Sequence, residues 1–529
     1  MDEAVVDPKT LGDPQTFGED EGEAPLLPKR ELMFVLGSLL IGTLLAALDN
    51  TIVSAALPTI VGELRGFSSY AWVGTIYILT STIATPILGK LSDIYGRKLI
   101  LQTAVLVFTI GSVLCALAQS MSQLILFRGV QGLGAGGLQA LTFAILADII
   151  PARERGRYIG FYTGMYAIAA IAGPLVGGFM IQHFSWPWIF LVNVPLGIAA
   201  LAALQINLRF AFRRRAAKVD FLGAVLLAGG LSSLMVGLER GRDGWVRPPV
   251  LGLLLAAVVL VGLFIAWQMR VSEPLVPMRL FANPIVAACF GTGIFLGAVM
   301  FGAGTFFPLF FQDARGVSPT AAGLFTLPIM AGVLMGSTGA GRVISRTGRY
   351  RLVPIFTLAG GTIGALAMAL LLATDVRYIL LILPMALMGL GGGSSFTTQS
   401  IAAQNAVDVS DLGVATATLN FLRTLGASIG LAMFGTVFTS TVKHDLPRRL
   451  PAGAARSSKD LLSLIREPKQ IKALAPAVRQ AVRDSISFGV SRVYLICVPL
   501  MIMAWICSVL VREIPLQTKA GLAMGHVEG

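Results

Sequence analysis

Asp49, Arg128 and Arg423 are the ionisable side chains set deepest within long apolar runs of this chain. An ion at the centre of a bilayer costs about 3 kcal/mol on insertion scales, so each needs a partner or a water-filled cavity. Asp49 and Arg128 can supply each other. Burial disfavours a carboxylate and a nearby guanidinium favours it, so a carboxyl held between the two can take up a proton on one side of a membrane and release it on the other. The bland alternative for Asp49 is a structural hydrogen bond between helices. Arg423 has two readings as well, a buried role or a side chain that snorkels to water from near the end of its span.

Around these residues the sequence is rich in glycine. The stretch Arg128-Gly129-Val130-Gln131-Gly132-Leu133-Gly134-Ala135-Gly136-Gly137 makes sense where helix backbones must touch or move. No strand precedes it, so it is not a phosphate-binding loop. A second small-residue run holds Gly160, Gly164, Ala169, Gly173, Pro174, Gly177 and Gly178, which suits close packing, with Gly173-Pro174 permitting a bend. Residues 89–98 read as a ten-residue polar turn between apolar runs, with Asp93 placed to face Arg97 or to cap a helix end. The same Gly-x6-Gly-Arg frame returns at Gly341, Gly348 and Arg349, which points to an internal repeat.

The elements that must position these groups are membrane helices. Of 529 residues, 55% are hydrophobic and 13% charged, where soluble domains carry about 25% charge. Fourteen spans are expected, at 32–57, 70–89, 99–118, 122–147, 157–181, 187–208, 219–238, 249–268, 285–311, 319–341, 352–373, 378–404, 410–440 and 491–511. The formal charge of +13 lies in the loops and so reports orientation, not a nucleic-acid partner. Loops on one side hold Arg153, Arg155, Arg157 and the basic run 213–215, whereas the short loops opposite hold Arg65, Arg240, Arg242, Arg247, Arg315 and Arg377. Both termini are therefore expected inside. Trp72, Trp186, Trp188, Trp245 and Trp267 fall at span ends, where amphipathic rings favour the interface.

Dropping spans seven and eight leaves six on either side, with the two repeated frames in register. The expected organisation is a disordered acidic tail (1–30), a six-helix bundle (31–210), two inserted helices with linkers (211–280), a second six-helix bundle (281–512) and a tail (513–529). A long outer loop, 441–490, interrupts the second bundle; apolar residues at helical spacing in 461–466 and 471–486 suggest amphipathic helices lying on the outer surface, or a lid. Cys115, Cys289, Cys497 and Cys507 lie in apolar runs and read as packing residues. Only His183, His444 and His526 are available as imidazoles, and no cysteine pair has metal spacing, so neither an enzyme nor a metal site is indicated. Energy for transport then comes from an ion gradient, with no cofactor.

These motifs resemble those of the major facilitator superfamily, in particular its fourteen-span drug:proton antiporter branch. Residues 89–98 resemble the loop signature between helices two and three, with Ser92 where Ala is common. Residues 124–136 resemble the fourth-helix signature and 160–178 the antiporter signature, with Ala169 replacing a glycine. Residues 48–58, Leu48-Asp49-Asn50-Thr51 onward, resemble the branch's first-helix signature with Ser54 where Asn is usual. Residues 186–197 resemble its sixth-helix start, with Pro187 in place of Arg.

The resemblance implies an all-α membrane protein of two six-helix bundles plus two inserted central helices, working by alternating access. It implies proton coupling and a substrate cavity at Asp49, Arg128, Asn50 and Gln131, a cytoplasmic gate at Gly89, Asp93, Gly96 and Arg97, and an antiport bend at Gly173, Pro174, Gly177 and Gly178. The expected activity is proton-coupled export of lipophilic drugs or dyes, cationic ones included, by a monomer in the plasma membrane. Export of a dedicated endogenous lipid, siderophore or antibiotic is the runner-up, and a non-transporting membrane sensor is the reading from another class.

Overall fold

Every long regular element among the described residues is helical. The computed structural model describes residues 28–516 apart from 65–69, 151, 209–219, 242–244, 273, 318, 375, 409–410 and 451–474. Most of both expected tails, the basic run 213–215 and the amphipathic stretch 461–466 lie outside them.

In the first part of the chain α1 (Lys29–Glu63), α2 (Tyr70–Tyr95), α3 (Arg97–Ala116), α4 (Met121–Ile149) and α5 (Ala152–His183) are followed by the short α6 (Trp188–Leu191) and α7 (Asn193–Asn207). The pair α8 (Phe221–Gly241) and α9 (Pro248–Gln268) comes next. A short α10 (Arg279–Ala282) leads to α11 (Pro284–Gly297), which runs through π and 3-10 turns and α12 (Phe306–Leu309) to Ala314. The chain closes with α13 (Pro319–Phe325), α14 (Leu327–Thr347), α15 (Leu352–Leu371), α16 (Ile379–Asn405), α17 (Leu412–Arg449) and α18 (Pro476–Leu510).

Twelve described helices are long and apolar enough to cross a membrane. Two expected spans are not among them. The fifth falls on α5, itself 32 residues long with no charged residue from 158 to 182, so neither length nor charge excludes it as a span. The ninth falls on 284–314, where π turns break the α-helical run. Apolar side chains on α9, such as Leu255 and Val258, are exposed, as a lipid-facing surface requires.

Packing repeats between the two parts of the chain. In the first, α1 lies on α5 and α7, α4 on α2 and α3, and α3 on α7. In the second, α11 lies on α17 and α18, α16 on α14 and α15, and α15 on α18. The parts meet through α5 against α14 and α2 against α17, equivalent pairs under the same correspondence. In both copies of the repeated frame the second glycine takes a positive φ. Gly96 has φ +99° between α2 and α3, and Gly348 has φ +69° just after α14. Both are backbone states in which a Cβ is strained. The ten-residue turn read from sequence is thus far shorter. Gly89 to Tyr95 still belongs to α2, Lys98 already belongs to α3, and Gly96 alone makes the reversal.

Two further expectations change. Residues 441–449 continue α17, and 476–490, expected to belong to a long outer loop with surface-lying helices at 461–466 and 471–486, are the first turns of α18. Within 476–486, Ala481, Val482 and Ile486 pack into the core of the second part. Trp186 is buried edge-on to Phe190, 6.2 Å between ring centroids, and Trp267 donates to Asp220 at 2.9 Å, so neither is a free interface anchor. Cys115, Cys289 and Cys497 are buried and unbridged, which fits packing.

Candidate functional site

Asp49 lies on α1 with no exposed surface, and four elements converge on it. Arg128 of α4 donates from Nη1 to Asp49 Oδ2 at 2.7 Å. Gln131, one turn further along α4, donates from Nε2 to Oδ1 at 2.8 Å, and Asn193 at the start of α7 donates to the same oxygen at 2.8 Å. Ser112 of α3 accepts from both amides, at 2.6 Å from Gln131 and 3.3 Å from Asn193. The guanidinium also donates to Gln131 Oε1 at 2.7 Å and lies 4.1 Å over the ring of Tyr77 on α2. Both carboxylate oxygens are therefore pure acceptors, the pattern of an ionised side chain. Arg128 Nε and Asn193 Oδ1 have no hydrogen-bond partner.

The glycines of α4 make this convergence possible. A Cβ on Gly132 would stand 2.1 Å from Thr80 Oγ1 and 2.5 Å from the Tyr77 carbonyl; one on Gly134 would stand 2.5 Å from the Phe108 amide. Helix backbones thus meet on both flanks of the Arg128–Gln131 turn, with α2 on one side and α3 on the other.

A second cluster lies at the end of the bundle where α1 begins and α18 finishes. Arg97 pairs with Asp93 one turn before it, donates from Nε to Asp148 of α4 at 3.0 Å, and donates from Nη1 to Ser92 at 2.5 Å. The start of α17 is pressed onto this cluster. A Cβ on Gly413 would stand 2.5 Å from Arg97 Nη2 and 2.7 Å from Asp93 Oδ1, and one on Gly89 would stand 2.7 Å from Ala417 Cβ. At this end the two parts of the chain are in contact.

The Major Facilitator Superfamily profile matches residues 39–431. The chain belongs to that superfamily. An uncharacterised MFS-type transporter of Mycobacterium tuberculosis is 34% identical over 93% of this chain and 71% of its own length. Multidrug resistance protein 3 of Bacillus subtilis is 30% identical over 92% of this chain and 96% of its own length. Among solved structures, the human organic anion transporter MFSD10 has a TM-score of 0.59 at 15% identity, covering 90% of this chain and 100% of that one. The proton:xylose symporter XylE has a TM-score of 0.53 at 14% identity, covering 87% and 94%. The superfamily is one of transporters, not enzymes.

Against this superfamily frame, the residues expected from sequence separate. Asp49, Arg128 and Gln131 come together, and so do Gly89, Asp93 and Arg97. Asn50 does not join them. It is exposed, because the next residue along a helix points about 100° away. On α5, a Cβ on Gly173 would stand 2.2 Å from Thr51 Oγ1, and Gly177 lies against Ile52. Thr51 donates to the Ala169 carbonyl at 2.9 Å. The run is thus a packing surface for α1 directly beside Asp49, and α5 continues as helix through Gly173 and Pro174. Gly178 faces open space. Sequence reading missed Asn193, Ser112 and Tyr77. The available signal was that Asn193 is a polar residue inside an apolar run.

Proposed function

We propose that this protein is a proton-coupled antiporter of the fourteen-span drug:proton branch. It exports lipophilic drugs or dyes by alternating access, as a monomer in the plasma membrane with both termini cytoplasmic. The multidrug names of relatives at about a third identity support the substrate class, and the loop distribution of Lys and Arg supports the orientation. The observation that carries the reading is the fully buried Asp49 carboxylate with three donors, at the convergence of α1, α4 and α7.

Protonation turns one acceptor of that carboxyl into a donor and removes the charge that balances Arg128. A buried, unbalanced guanidinium is strongly unfavourable, so the helices holding the pair must rearrange. On this reading the bundles 31–210 and 281–512 are the moving halves. Asp93 and Arg97, against Gly413, close the cytoplasmic side while the outer side is open, and α5 slides or bends on Thr51.

The test is transport in proteoliposomes under an imposed pH gradient, with a panel of cationic and neutral lipophilic dyes. Wild type should move dye in proportion to the gradient, and Asp49→Asn should lose gradient-driven movement. Equal gradient-driven transport by the variant would remove Asp49 from coupling. A wild type that moves none of the panel would overturn the drug-export reading.

A further inference from the structure

The second half of the molecule carries a buried guanidinium of a different kind. Arg423 of α17 is only 6% exposed, about 16 Å in from the helix start at Leu412, too deep to snorkel. Its contacts are neutral and mostly long. Nη1 donates to Asn420 Oδ1 at 3.2 Å, while Nη2 reaches the Phe396 carbonyl at 3.0 Å, Ser400 Oγ at 3.2 Å and Gln399 Oε1 at 3.3 Å. The guanidinium lies 4.0 Å over the Phe396 ring. Among the described residues no carboxylate pairs with it.

The groups around it are donors in excess. Gln399 and Asn420 turn their oxygens to Arg423, which leaves Gln399 Nε2 and Asn420 Nδ2 beside it, both buried and without a partner. The buried Ser395 hydroxyl, on α16 with Gln399, is also unpartnered. A fixed positive charge flanked by two free amide N–H groups in a dry interior lacks one thing, an acceptor with negative charge. The position also suits a transported molecule. Phe396 packs against Phe143 of α4, 5.7 Å between centroids, so Arg423 is one ring away from the seam between the halves.

We propose that Arg423, Gln399 and Asn420 form a site for a monovalent anion. That anion is either the carboxylate of an amphiphilic substrate, with Phe396 against its apolar part, or chloride. The substrate assignment rests on the export reading above; the anion site itself does not.

The experiment is thermal unfolding of the detergent-purified full chain, titrated with sodium chloride or sodium salicylate against sodium gluconate at constant ionic strength. A site of this kind gives a saturable rise of about 2–4 °C in the unfolding midpoint. Arg423→Gln should abolish the rise and Arg423→Lys should retain part of it. A response to salicylate assigns a substrate carboxylate, and one to chloride alone assigns the inorganic ion. No saturable rise with either anion in wild type overturns the site, as does a full rise in Arg423→Gln. If Arg423→Gln does not fold, the wild-type titration and Arg423→Lys still decide, a rise in wild type that Arg423→Lys shares unchanged or loses completely counting for and against a charge-based site respectively. Anion binding without pH-driven dye transport would sink only the export reading, and the converse would sink only the anion site.

Discussion

Removing Arg128 should cost much more than removing Arg128 together with the charge of Asp49. The pair is 2.7 Å apart with relative exposures of 1% and 0%, so neither ion regains hydration when the other is lost. After Arg128→Met, the carboxylate keeps Gln131 and Asn193 as donors but stays buried and unbalanced. After Asp49→Asn, the guanidinium keeps Gln131 Oε1 and the Tyr77 face but is likewise unbalanced. Breaking one side of such a pair costs roughly 3–5 kcal/mol, while removing both charges costs far less. The double variant Asp49→Asn/Arg128→Met should therefore be more stable than the sum of the single losses by at least about 2 kcal/mol, more than tenfold in the unfolding equilibrium. Equilibrium unfolding of the four proteins in mixed micelles measures this cycle directly. Additivity within about 0.5 kcal/mol would refute the view that Asp49 and Arg128 balance each other in a dry site.

Gly132→Val should destabilise by roughly 1–3 kcal/mol, or prevent a monodisperse fold, because Thr80 and the Tyr77 carbonyl occupy the space a side chain needs; size-exclusion profiles and unfolding midpoints check it. Thr51→Val, by contrast, removes a bond to Ala169 of a kind that averages about 0.6 kcal/mol in membrane proteins, and its midpoint should barely move. Arg97→Ala dissolves the contacts to Asp93, Ser92 and Asp148 under Gly413. A cysteine at Ala417, in a background without native cysteines, should then react several-fold faster with a thiol reagent applied from the cytoplasmic side; an unchanged rate would remove Arg97 from the closure. Asp220→Ala frees the amide of Gly223, Trp267 and Gln268 from their shared acceptor, and should cost about 1–3 kcal/mol by loosening α8 from α9.

The pairing of Asp49 with Arg128 was legible because two opposite ions in apolar runs have few other solutions. Asn193 and Ser112 were not, because neutral polar side chains are common in spans and find local carbonyls, as Thr43 does with Leu39. Asn50 does not reach the Asp49 cluster because a motif gives adjacency in sequence, whereas a helix turns adjacent residues to different faces. The polar run Ser394-Ser395-Phe396-Thr397-Thr398-Gln399-Ser400 drew no attention in sequence, since without coordinates nothing says that it faces Arg423. Span positions followed from hydropathy. The continuation of α17 and α18 past the apolar windows did not, because charged residues end a hydropathy signal before they end a helix.

With 38 residues, α17 is about 57 Å long, close to twice the thickness of a hydrocarbon core. It carries Gly413 against Arg97 at one tip, Arg423 part-way along and Arg449 at the far tip, where α18 runs beside it. It is in effect a lever whose far arm stands in water. A pivot of about 10° that frees Gly413 from Arg97 would swing the other tip by several ångströms, on the dimensions of an α-helix. A binder that clamps the water-exposed tips of α17 and α18 together would thus immobilise the opposite face of the membrane without touching it.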